Sequence, residues 1–426
     1  MTVKLNEKDK RMLQGEYGKA TKLAMSILVR MAEVYGAEEM MDVALAHIDG
    51  VGLLSEASLE FAETLATLGG RVAIPTTLNM VPLDIQQWEK WKIPEDYAHR
   101  ALRQIRAYIN MGCIPTCTCA PYQGYLTPRF GQQIAWAESN AIVYANSVLG
   151  ARTNRYGDYI DICAAITGRV PKYGLHLKAN RRGQLLLRLV DIEPAWMKSD
   201  TFYPLLGHFL GRTAGDKIPV IEGLPAQVTD DQLKALGAAA ASSGAVALFH
   251  AVGVTPEAHT LEEAFQNEPP EGVIDVHPDD LVAAQKELST AEADAPLDAV
   301  VLGCPHFSFT EFQQLAQIIQ AQGGQSIHSG VQFVVLTNQL TLSLLQRSNL
   351  ITLLTSFGIQ IVLDTCDFHC PILHSETKVI MTNSGKQAYY APGELGVQVA
   401  LGTMADCVRS AIKGRVVRSE TPWTES

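Results

Sequence analysis

The sequence predicts a multi-domain α/β protein, with layers of helices packed around parallel sheets. Three observations support this. The chain has 426 residues, which is about two to three times the length of an ordinary domain. Its composition is 47% hydrophobic and 19% charged, enough apolar material for a large core and too much for a disordered chain. From residue 298 onward, short apolar strands alternate with amphipathic helices, as in a parallel sheet covered by helices.

The first part of the chain is predicted to be mostly helical. Residues 7–46 are predicted as helix, because apolar residues recur at three- and four-residue spacing and Gly36 offers a stop. Within this range, the apolar stretch 40–48 ends in the motif HIDGVG. Residues 55–68 form a second predicted helix, and RVAIPTTLN a strand that runs into a loop. A charged and aromatic helix then covers about 94–110.

The middle of the chain predicts one βαβ-like step. IPVIEGLP at 218–225 is a strand followed by a turn, and residues 229–244 are a helix with Thr229 or Asp230 as N-cap. GAVALFHAVGV follows as a buried strand. Further on, LDAVVLG, VQFVVLT, IQIVLDT and KVIMTNS are four strands that each end at a polar loop. Helices such as FTEFQQLAQIIQAQ connect them, which indicates a parallel sheet.

A change in composition predicts the domain boundaries. Residues 255–297 are acidic, rich in proline and poor in large apolar side chains. We therefore predict an N-terminal α/β region at 1–260 with one or two subdomains, an acidic connection at 261–297 with one or two helices, and a C-terminal α/β domain at 298–426.

Charge and cysteine content exclude several classes of protein. The formal net charge of -11 argues against a protein that coats nucleic acid or an anionic membrane. The N-terminus lacks the apolar core of a secretory signal, and no run of 18 apolar residues exists. Eight cysteines without a signal peptide indicate a reducing compartment. We therefore expect a cytoplasmic protein without structural disulfides.

Two cysteines follow predicted strands. Cys304 follows LDAVVLG and Cys366 follows IQIVLDT, and ligands of parallel sheets bind beyond the carboxyl ends of the strands. A third group, in the loop MGCIPTCTCAPYQ, contains Cys113, Cys117 and Cys119. Thiolates suit iron–sulfur clusters and zinc, but the chain has no CxxC pair, which argues against a zinc finger. Spacing alone leaves ordinary buried or loop cysteines as the alternative.

The remaining cysteines have weaker claims as ligands. Cys163 and Cys407 sit among apolar residues in helical patterns, which predicts that they are core residues. Cys370 lies four residues after Cys366 and next to a proline, and is an alternative metal ligand.

Several polar residues interrupt the apolar, helix-compatible run at 135–169. They include Glu138, Ser139, Asn140 and Asn146. Buried polar groups are costly unless they are hydrogen-bonded or used, so either helix capping or a substrate site explains them. Their density favours a helix start that faces a substrate. In TNSGKQ, which is not a phosphate-binding loop, Lys386 at a strand end suits a carboxylate or phosphate partner.

Several of these segments together resemble one known family, aconitase X. They are PTCTCAPYQ, AWAESNAIVYANSVLGARTNRYGDYIDICAAITGR, LGCPHFS, DTCDFHCP and TNSGKQAYYAPG, and the resemblance runs from residue 5 to about residue 412. It implies an aconitase-like arrangement of α/β domains around an iron–sulfur cluster held by three cysteines. By position these match Cys119, Cys304 and Cys366. The number of irons in the cluster is left open.

The resemblance also implies the site residues. We predict catalytic roles for Glu138, Ser139 and Lys386. The predicted substrate-binding residues are His47, Gly50, Val51, Gly52, Asn79 and Asn140. Relatives often carry serine where this chain has Gly52.

The implied function is dehydration of a small hydroxy acid. Three protein ligands leave one iron open as a Lewis acid, and a base removes the proton from the neighbouring carbon. The resemblance implies a swivel domain on a separate small subunit. Segments typical of bacterial members favour cis-3-hydroxy-L-proline as substrate and Δ1-pyrroline-2-carboxylate as product. The alternatives are a mevalonate 5-phosphate dehydratase large subunit and, in another class, a non-catalytic iron–sulfur or zinc protein.

Overall fold

A computed structural model describes residues 3–53 and 55–418. The chain folds into two compact units, Met1–Arg182 (unit 1) and Gly183–Ser426 (unit 2). Among the described residues, every helix is too short or too polar to cross a membrane.

Unit 1 contains six α-helices and five short strands in its described residues. In chain order they are α1 (Glu7–Gln14), α2 (Lys19–Tyr35), β1 (Met40–Asp42), β2 (Ala46–Ile48), α3 (Glu56–Thr67), β3 (Thr76–Leu78), α4 (Glu95–Asn110), β4 (Ala135–Trp136), α5 (Ser139–Ser147), α6 (Ile160–Thr167) and β5 (Arg169–Pro171).

A three-stranded parallel sheet organises unit 1. Its order is β3-β2-β4, and Ala46 of the central strand pairs with Thr76 on one side and Ala135 on the other. Strands β1 and β5 form a separate antiparallel pair. Helix α2 packs on α6 and buries Met25 and Leu28 in the core. Because the three parallel strands run the same way, their carboxyl ends lie at one edge of the sheet.

The predicted helix at 7–46 is wrong in its extent. Helix α1 ends at Gly15, which adopts a left-handed φ of 91°, and α2 starts after Gly18 at φ 97°. A residue with a Cβ rarely adopts such angles, so the two glycines break the helix. Helix α2 stops at Gly36, as predicted, and the apolar stretch 40–48 forms strands β1 and β2.

Unit 2 contains nine α-helices and nine strands in its described residues. They are β6 (Leu185–Leu189), α7 (Phe202–Ala214), β7 (Pro219–Glu222), α8 (Asp230–Ser243), β8 (His250–Ala251), α9 (Leu261–Ala264), β9 (Gly272–Val276), α10 (Pro278–Leu288), β10 (Ala299–Leu302), α11 (Phe309–Ala321), β11 (Gln332–Thr337), α12 (Gln339–Arg347), α13 (Leu350–Phe357), β12 (Ile359–Leu363), β13 (Val379–Thr382), α14 (Gly385–Glu394), β14 (Gln398–Leu401) and α15 (Met404–Lys413).

Two parallel sheets form the centre of unit 2. One has the order β8-β7-β6-β9 and the other β12-β11-β10-β13-β14. The predicted α/β class with a parallel C-terminal sheet is confirmed, and β14 adds a fifth strand that the sequence analysis did not identify. Residues 261–297, the predicted acidic connection, also contain the unpredicted edge strand β9. The domain boundaries at 260 and 298 stay predictions.

Helix α8 begins as the sequence predicts and packs closely against α7. The Thr229 hydroxyl accepts a hydrogen bond from the backbone N–H of Gln232 (3.2 Å), and the Gln232 side chain accepts one from the Thr229 N–H (2.9 Å). A Cβ on Gly207 of α7 would lie 2.2 Å from the Leu236 carbonyl oxygen. Glycine at this position therefore allows the two helices to approach.

Candidate active site

The carboxyl edge of the unit 1 sheet gathers most of the predicted substrate-site residues. The loop 49–52 follows β2, Asn79 follows β3, and Glu138 and Ser139 follow β4 at the start of α5. The His47 side chain lies on β2 itself. These positions are 30 to 90 residues apart in the chain, and the parallel pairing of the three strands brings them to one edge.

Glu138 adopts an unusual backbone conformation. Its φ is 75°, in the left-handed region that side chains other than glycine rarely adopt. The side chain is only 7% exposed, and its carboxylate accepts hydrogen bonds from the Ala141 N–H (2.6 Å) and the Ser139 hydroxyl (3.5 Å). Backbone strain of this kind concentrates at functional sites. The strain and the N-cap bond together fix the carboxylate at the sheet edge.

His47 is fully buried and only half of its ring is hydrogen-bonded. Its Nδ1 lies 2.8 Å from the Thr77 hydroxyl, while Nε2 has no hydrogen-bond partner. Burial lowers the pKa of His47 to about 4, although Glu138 and Asn79 oppose this shift. The ring is therefore neutral at pH 7.

The loop after β2 is held from two helices. The Asp161 carboxylate of α6 accepts hydrogen bonds from the N–H groups of Asp49 (2.7 Å) and Gly50 (3.3 Å). From α4, Gln104 and Tyr108 donate to the Gly50 carbonyl at 2.8 and 3.1 Å. Burial raises the pKa of Asp161 to about 7. These contacts fix the backbone of Gly50, and with it the predicted binding loop.

Asn140 ties the Cys119 loop to α5. Residues 114–118 run alongside β3, and the last of their amides donates to the Leu78 carbonyl (3.2 Å). The Asn140 amide nitrogen then donates to the Cys119 carbonyl (2.8 Å), and its oxygen accepts from the Tyr122 hydroxyl (3.0 Å). Both polar atoms of Asn140 are thus engaged in placing the loop that carries Cys119.

In unit 2, three predicted site residues follow strands of one parallel sheet. Cys304 follows β10, Cys366 follows β12, and Lys386 lies in the first turn of α14 after β13. The Ser384 hydroxyl donates to the Cys304 carbonyl. The His306 Nε2 lies 3.0 Å from the Thr365 carbonyl, which joins the two cysteine loops. The structure therefore brings both cysteines and the start of α14 to the carboxyl edge of this sheet.

Gly303 shapes the turn that presents Cys304. Its φ is 96°, and a Cβ there would lie 2.2 Å from the Leu336 carbonyl oxygen of β11. A larger residue would push the loop away from the neighbouring strand. The glycine of the GCPH segment is therefore required by the close approach of the Cys304 loop to β11.

The sequence analysis did not identify Lys234, which lies beside the Cys304 loop. This lysine of α8 is buried, and its Nζ lies 3.0 Å from Asp231, in contact with Glu311 and 3.5 Å from the His306 carbonyl. Lys234 lines the same cleft as Cys304. The two carboxylates raise the pKa of Lys234 against the effect of burial, so the lysine is charged. The sequence signal that could have identified Lys234 is its position as a lone charged residue at the start of the alanine-rich helical run KALGAAAA.

Burial distinguishes the eight cysteines, all of which lie in the described part of the chain and none of which forms a disulfide. Cys304 and Cys366 are partly exposed, Cys119 is 8% exposed, and the other five are between 0 and 4% exposed. The three predicted cluster ligands are thus the cysteines with the largest exposed fractions, and of these Cys119 is itself buried. Cys163 and Cys407 are fully buried in helices, as predicted, and burial raises the pKa of each thiol.

Within each unit, no three described His, Cys, Asp or Glu side chains are arranged to hold one metal ion. Accessible thiols at loop ends suit a cluster better than thiols in an apolar core, because burial opposes the thiolate form.

Known proteins share all three regions of the chain. Residues 2–179 match the family described as Aconitase X first domain, 184–286 the Aconitase X second domain, and 297–413 the Aconitase X third domain. A solved structure of Thermococcus kodakaraensis aconitase X in its holo form superimposes with a TM-score of 0.86 at 30% identity, and covers 96% of this chain and 100% of that one.

Curated relatives include two kinds of dehydratase. The cis-3-hydroxy-L-proline dehydratase of Hypocrea jecorina is 42% identical over 97% of this chain and 69% of its own length. The Pseudomonas aeruginosa protein of the same name is 41% identical over 99% of this chain and 72% of its own length. The phosphomevalonate dehydratase large subunit of Methanothermobacter thermautotrophicus is 38% identical over 96% of this chain and 98% of its own length.

Proposed function

The chain belongs to the aconitase X family, and we propose on this basis that it is the large catalytic subunit of a hydro-lyase. Its proposed reaction is the dehydration of cis-3-hydroxy-L-proline to Δ1-pyrroline-2-carboxylate. The observation that carries the proposal is 41–42% identity, over almost the whole chain, to two proteins of that activity. The phosphomevalonate dehydratase large subunits are 30–38% identical.

We propose Cys119, Cys304 and Cys366 as ligands of an iron–sulfur cluster. Their greater accessibility, compared with the other five cysteines, fits this role. A set of three thiolates leaves one iron open to the substrate. When bound, such a cluster supplies a Lewis acid that stabilises the departing hydroxide.

The proposed catalytic residues occupy the edges of the two sheets. The strained, capped position of Glu138 holds its carboxylate rigidly, which suits a group that binds substrate or holds a proton. Ser139 donates to that carboxylate and orients it. Lys386 in the first turn of α14 supplies an ammonium for the substrate carboxylate, and the N-terminal end of the helix dipole acts in the same sense.

The proposed binding residues surround the end of β2. Asn79 and His47 present polar atoms there, and the loop Gly50, Val51 and Gly52 presents backbone. The hydrogen bonds of Gly50 to Asp161, Gln104 and Tyr108 hold this loop in a fixed conformation at the sheet edge. Asn140 acts by holding the Cys119 loop, because both of its polar atoms are already hydrogen-bonded.

A small swivel-domain subunit on a separate chain is the proposed partner. Five curated relatives carry the words "large subunit" in their names, which supports a two-subunit enzyme. The two hydroxyproline dehydratases are longer than this chain, which spans 69% and 72% of their lengths. An assay of this chain therefore needs the partner subunit.

The test is an anaerobic assay of the reconstituted protein with its partner on cis-3-hydroxy-L-proline. We expect Cys304→Ser to lose iron and at least ~100-fold in turnover, because a lost ligand costs more than the 10–100-fold typical of its outer-shell partners. Cys370→Ser is the matched control and should retain iron and activity.

Three outcomes would contradict the proposal. Full activity of the Cys304→Ser variant would exclude Cys304 as a ligand of a catalytic cluster. Turnover of mevalonate 5-phosphate without turnover of hydroxyproline would show that the phosphorylated compound, and not hydroxyproline, is the substrate. Stoichiometric zinc, or iron without any turnover of either compound, would favour the non-catalytic class.

A further inference from the structure

Asp49 and Asn79 occupy facing positions at the ends of two neighbouring strands. In the parallel register Ile48 pairs with Leu78, and the Asn79 N–H donates to the Ile48 carbonyl (2.9 Å). The next position on each strand is therefore Asp49 opposite Asn79. The Asn79 side-chain nitrogen donates to the Asp49 carboxylate, so the two side chains form one polar pair.

This pair has an unused acceptor. With its nitrogen directed to Asp49, the Asn79 side chain has a buried carbonyl oxygen that makes no hydrogen bond. Asn79 as a whole is fully buried, and an unsatisfied buried acceptor costs about 1–3 kcal/mol. The Nε2 of His47, on the central strand of the same sheet, is also buried without a partner. Unsatisfied buried polar atoms at one sheet edge indicate a place that a ligand group completes.

The charge around Asp49 selects the kind of ligand. Asp49 is partly exposed and makes no ion pair with any described lysine, arginine or histidine. The charged groups with the largest effect on it are Glu138, Asp158 and Asp161, all of them acidic. A phosphate or carboxylate would be repelled there. A cationic group with N–H donors would be attracted, and would satisfy the Asn79 oxygen.

We propose that Asp49 and Asn79 form the subsite for the ring ammonium of the substrate, and that Asp49 determines specificity for amino acids over hydroxy acids without an amine. The inference rests on the proposed function and adds the recognition of one substrate group. The secondary ammonium of a proline ring carries one positive charge and two N–H donors. One N–H bonds to the Asp49 carboxylate and the other to the Asn79 oxygen. A phosphorylated hydroxy acid has neither the charge nor the donors.

The experiment compares two probes that differ only in this group. L-proline and tetrahydrofuran-2-carboxylate share the ring and the carboxylate, but the second has an ether oxygen in place of the ammonium. Their dissociation constants are measured by calorimetry on the reconstituted complex. We expect the wild-type protein to bind L-proline at least tenfold more tightly. Asp49→Asn should reduce this preference to less than about threefold, because it keeps the shape and removes the charge.

Asp158→Asn is the matched control. It removes a nearby carboxylate that does not contact the Asn79 side chain, and should keep most of the preference. Asp49→Ala serves as a second variant, and circular dichroism shows whether each variant is folded. In steady-state assays on cis-3-hydroxy-L-proline, Asp49→Asn should raise KM more than it lowers kcat.

The outcomes separate this inference from the proposed function. If the wild-type complex dehydrates hydroxyproline and Asp49→Asn still prefers L-proline tenfold, the subsite is wrong and the function stands. An equal loss of affinity for both probes would also overturn the subsite. If the wild-type complex prefers L-proline through Asp49 but does not dehydrate hydroxyproline, the subsite stands and the proposed reaction is wrong.

Discussion

Each of the two units contains a pair of carboxylates that are at most partly exposed, and the two units stabilise these pairs in different ways. In unit 2, Asp231 and Glu311 surround the buried ammonium of Lys234. In unit 1, Asp161 accepts backbone N–H groups and Asp49 accepts the amide of Asn79. No described lysine, arginine or histidine pairs with Asp49.

This difference separates a structural cluster from a binding site. The cluster of unit 2 contains its own counter-charge, and its polar groups connect α8 to the loop after Cys304. The group in unit 1 has no cationic partner among the described residues and has an unsatisfied acceptor at the edge of a parallel sheet, where ligands bind. Burial raises the pKa of Asp49 to about 7, and perturbed carboxyls of this kind cluster at functional sites.

The largest effect is expected for Lys234→Met in unit 2. Removing one partner of a buried ion pair leaves uncompensated charge, which costs about 3–5 kcal/mol. Here two carboxylates, Asp231 and Glu311, lose their common partner. We expect urea unfolding to show a loss of this size. Lys378→Met, at an exposed position, is the control and should stay within about 0.5 kcal/mol.

If Lys234→Met loses no more unfolding free energy than the control variant, the carboxylates of unit 2 do not form a stabilising cluster, and the contrast with unit 1 fails. This result would mean that the ion pairs of Lys234 do not stabilise the contact between α8 and the loop after Cys304.

A smaller, pH-dependent effect is expected for Asp49→Asn. Burial raises the pKa of Asp49 from an ordinary value of 3.8 to about 7. Between about pH 4 and pH 7 the folded protein therefore keeps a proton that the unfolded chain has released, and the free energy of unfolding falls as pH rises. Without this group, the variant should gain stability relative to wild type between pH 5 and pH 8, on the order of 1–3 kcal/mol.

Urea midpoints of both proteins at pH 5 and pH 8 check this prediction. The charged groups that act on Asp49 are Glu138, Asp158 and Asp161, and these groups and His47 are common to both proteins. Their own titration, including the opposite slope of His47, therefore largely cancels in the difference. Asp96→Asn, at an exposed position of α4, should show no pH-dependent difference. Equal stability differences at both pH values would show that the pKa of Asp49 is not raised in the folded protein.

The smallest effect is expected for Thr229→Ala at the start of α8. The Thr229 hydroxyl caps the helix that carries Lys234, and loss of such a cap costs about 1 kcal/mol. The urea midpoint measures the loss. Thr352→Ala, exposed in the middle of α13, should show none. A Thr229→Ala protein as stable as wild type would show that the ion pairs of Lys234 hold α8 without its cap.

Local patterns predicted much of the fold. The capping signal at Thr229 and the stop at Gly36 are confirmed, because each depends on residues a few positions apart. Cys163 and Cys407 are core residues as predicted, since apolar periodicity alone defines the buried face of a helix. Regular strand–helix alternation after residue 298 predicted the parallel sheet, and therefore the strand-end positions of Cys304 and Cys366.

Other predictions failed, or were not made, because they depend on chain geometry over longer distances. The helix at 7–46 was drawn too long because apolar spacing was given more weight than the glycines at 15 and 18. Lys234 was passed over because its partner Glu311 lies 77 residues further along the chain. Strand β9 was missed because its short apolar sequence, GVIDV, lies within the acidic and proline-rich segment that was predicted as a connection.

The sequence by itself determined the α/β class, the family and the candidate cysteine ligands, because these depend on short-range periodicity and on motifs that can be read in order. Only the tertiary structure decided which polar groups face each other. The pairing of β2 with β3 sets Asp49 beside Asn79, and the packing of α8 sets Lys234 beside Glu311. Whether a buried carboxylate becomes a structural partner or a binding group depends on the charges around it in space, and strand order and helix packing fix those charges.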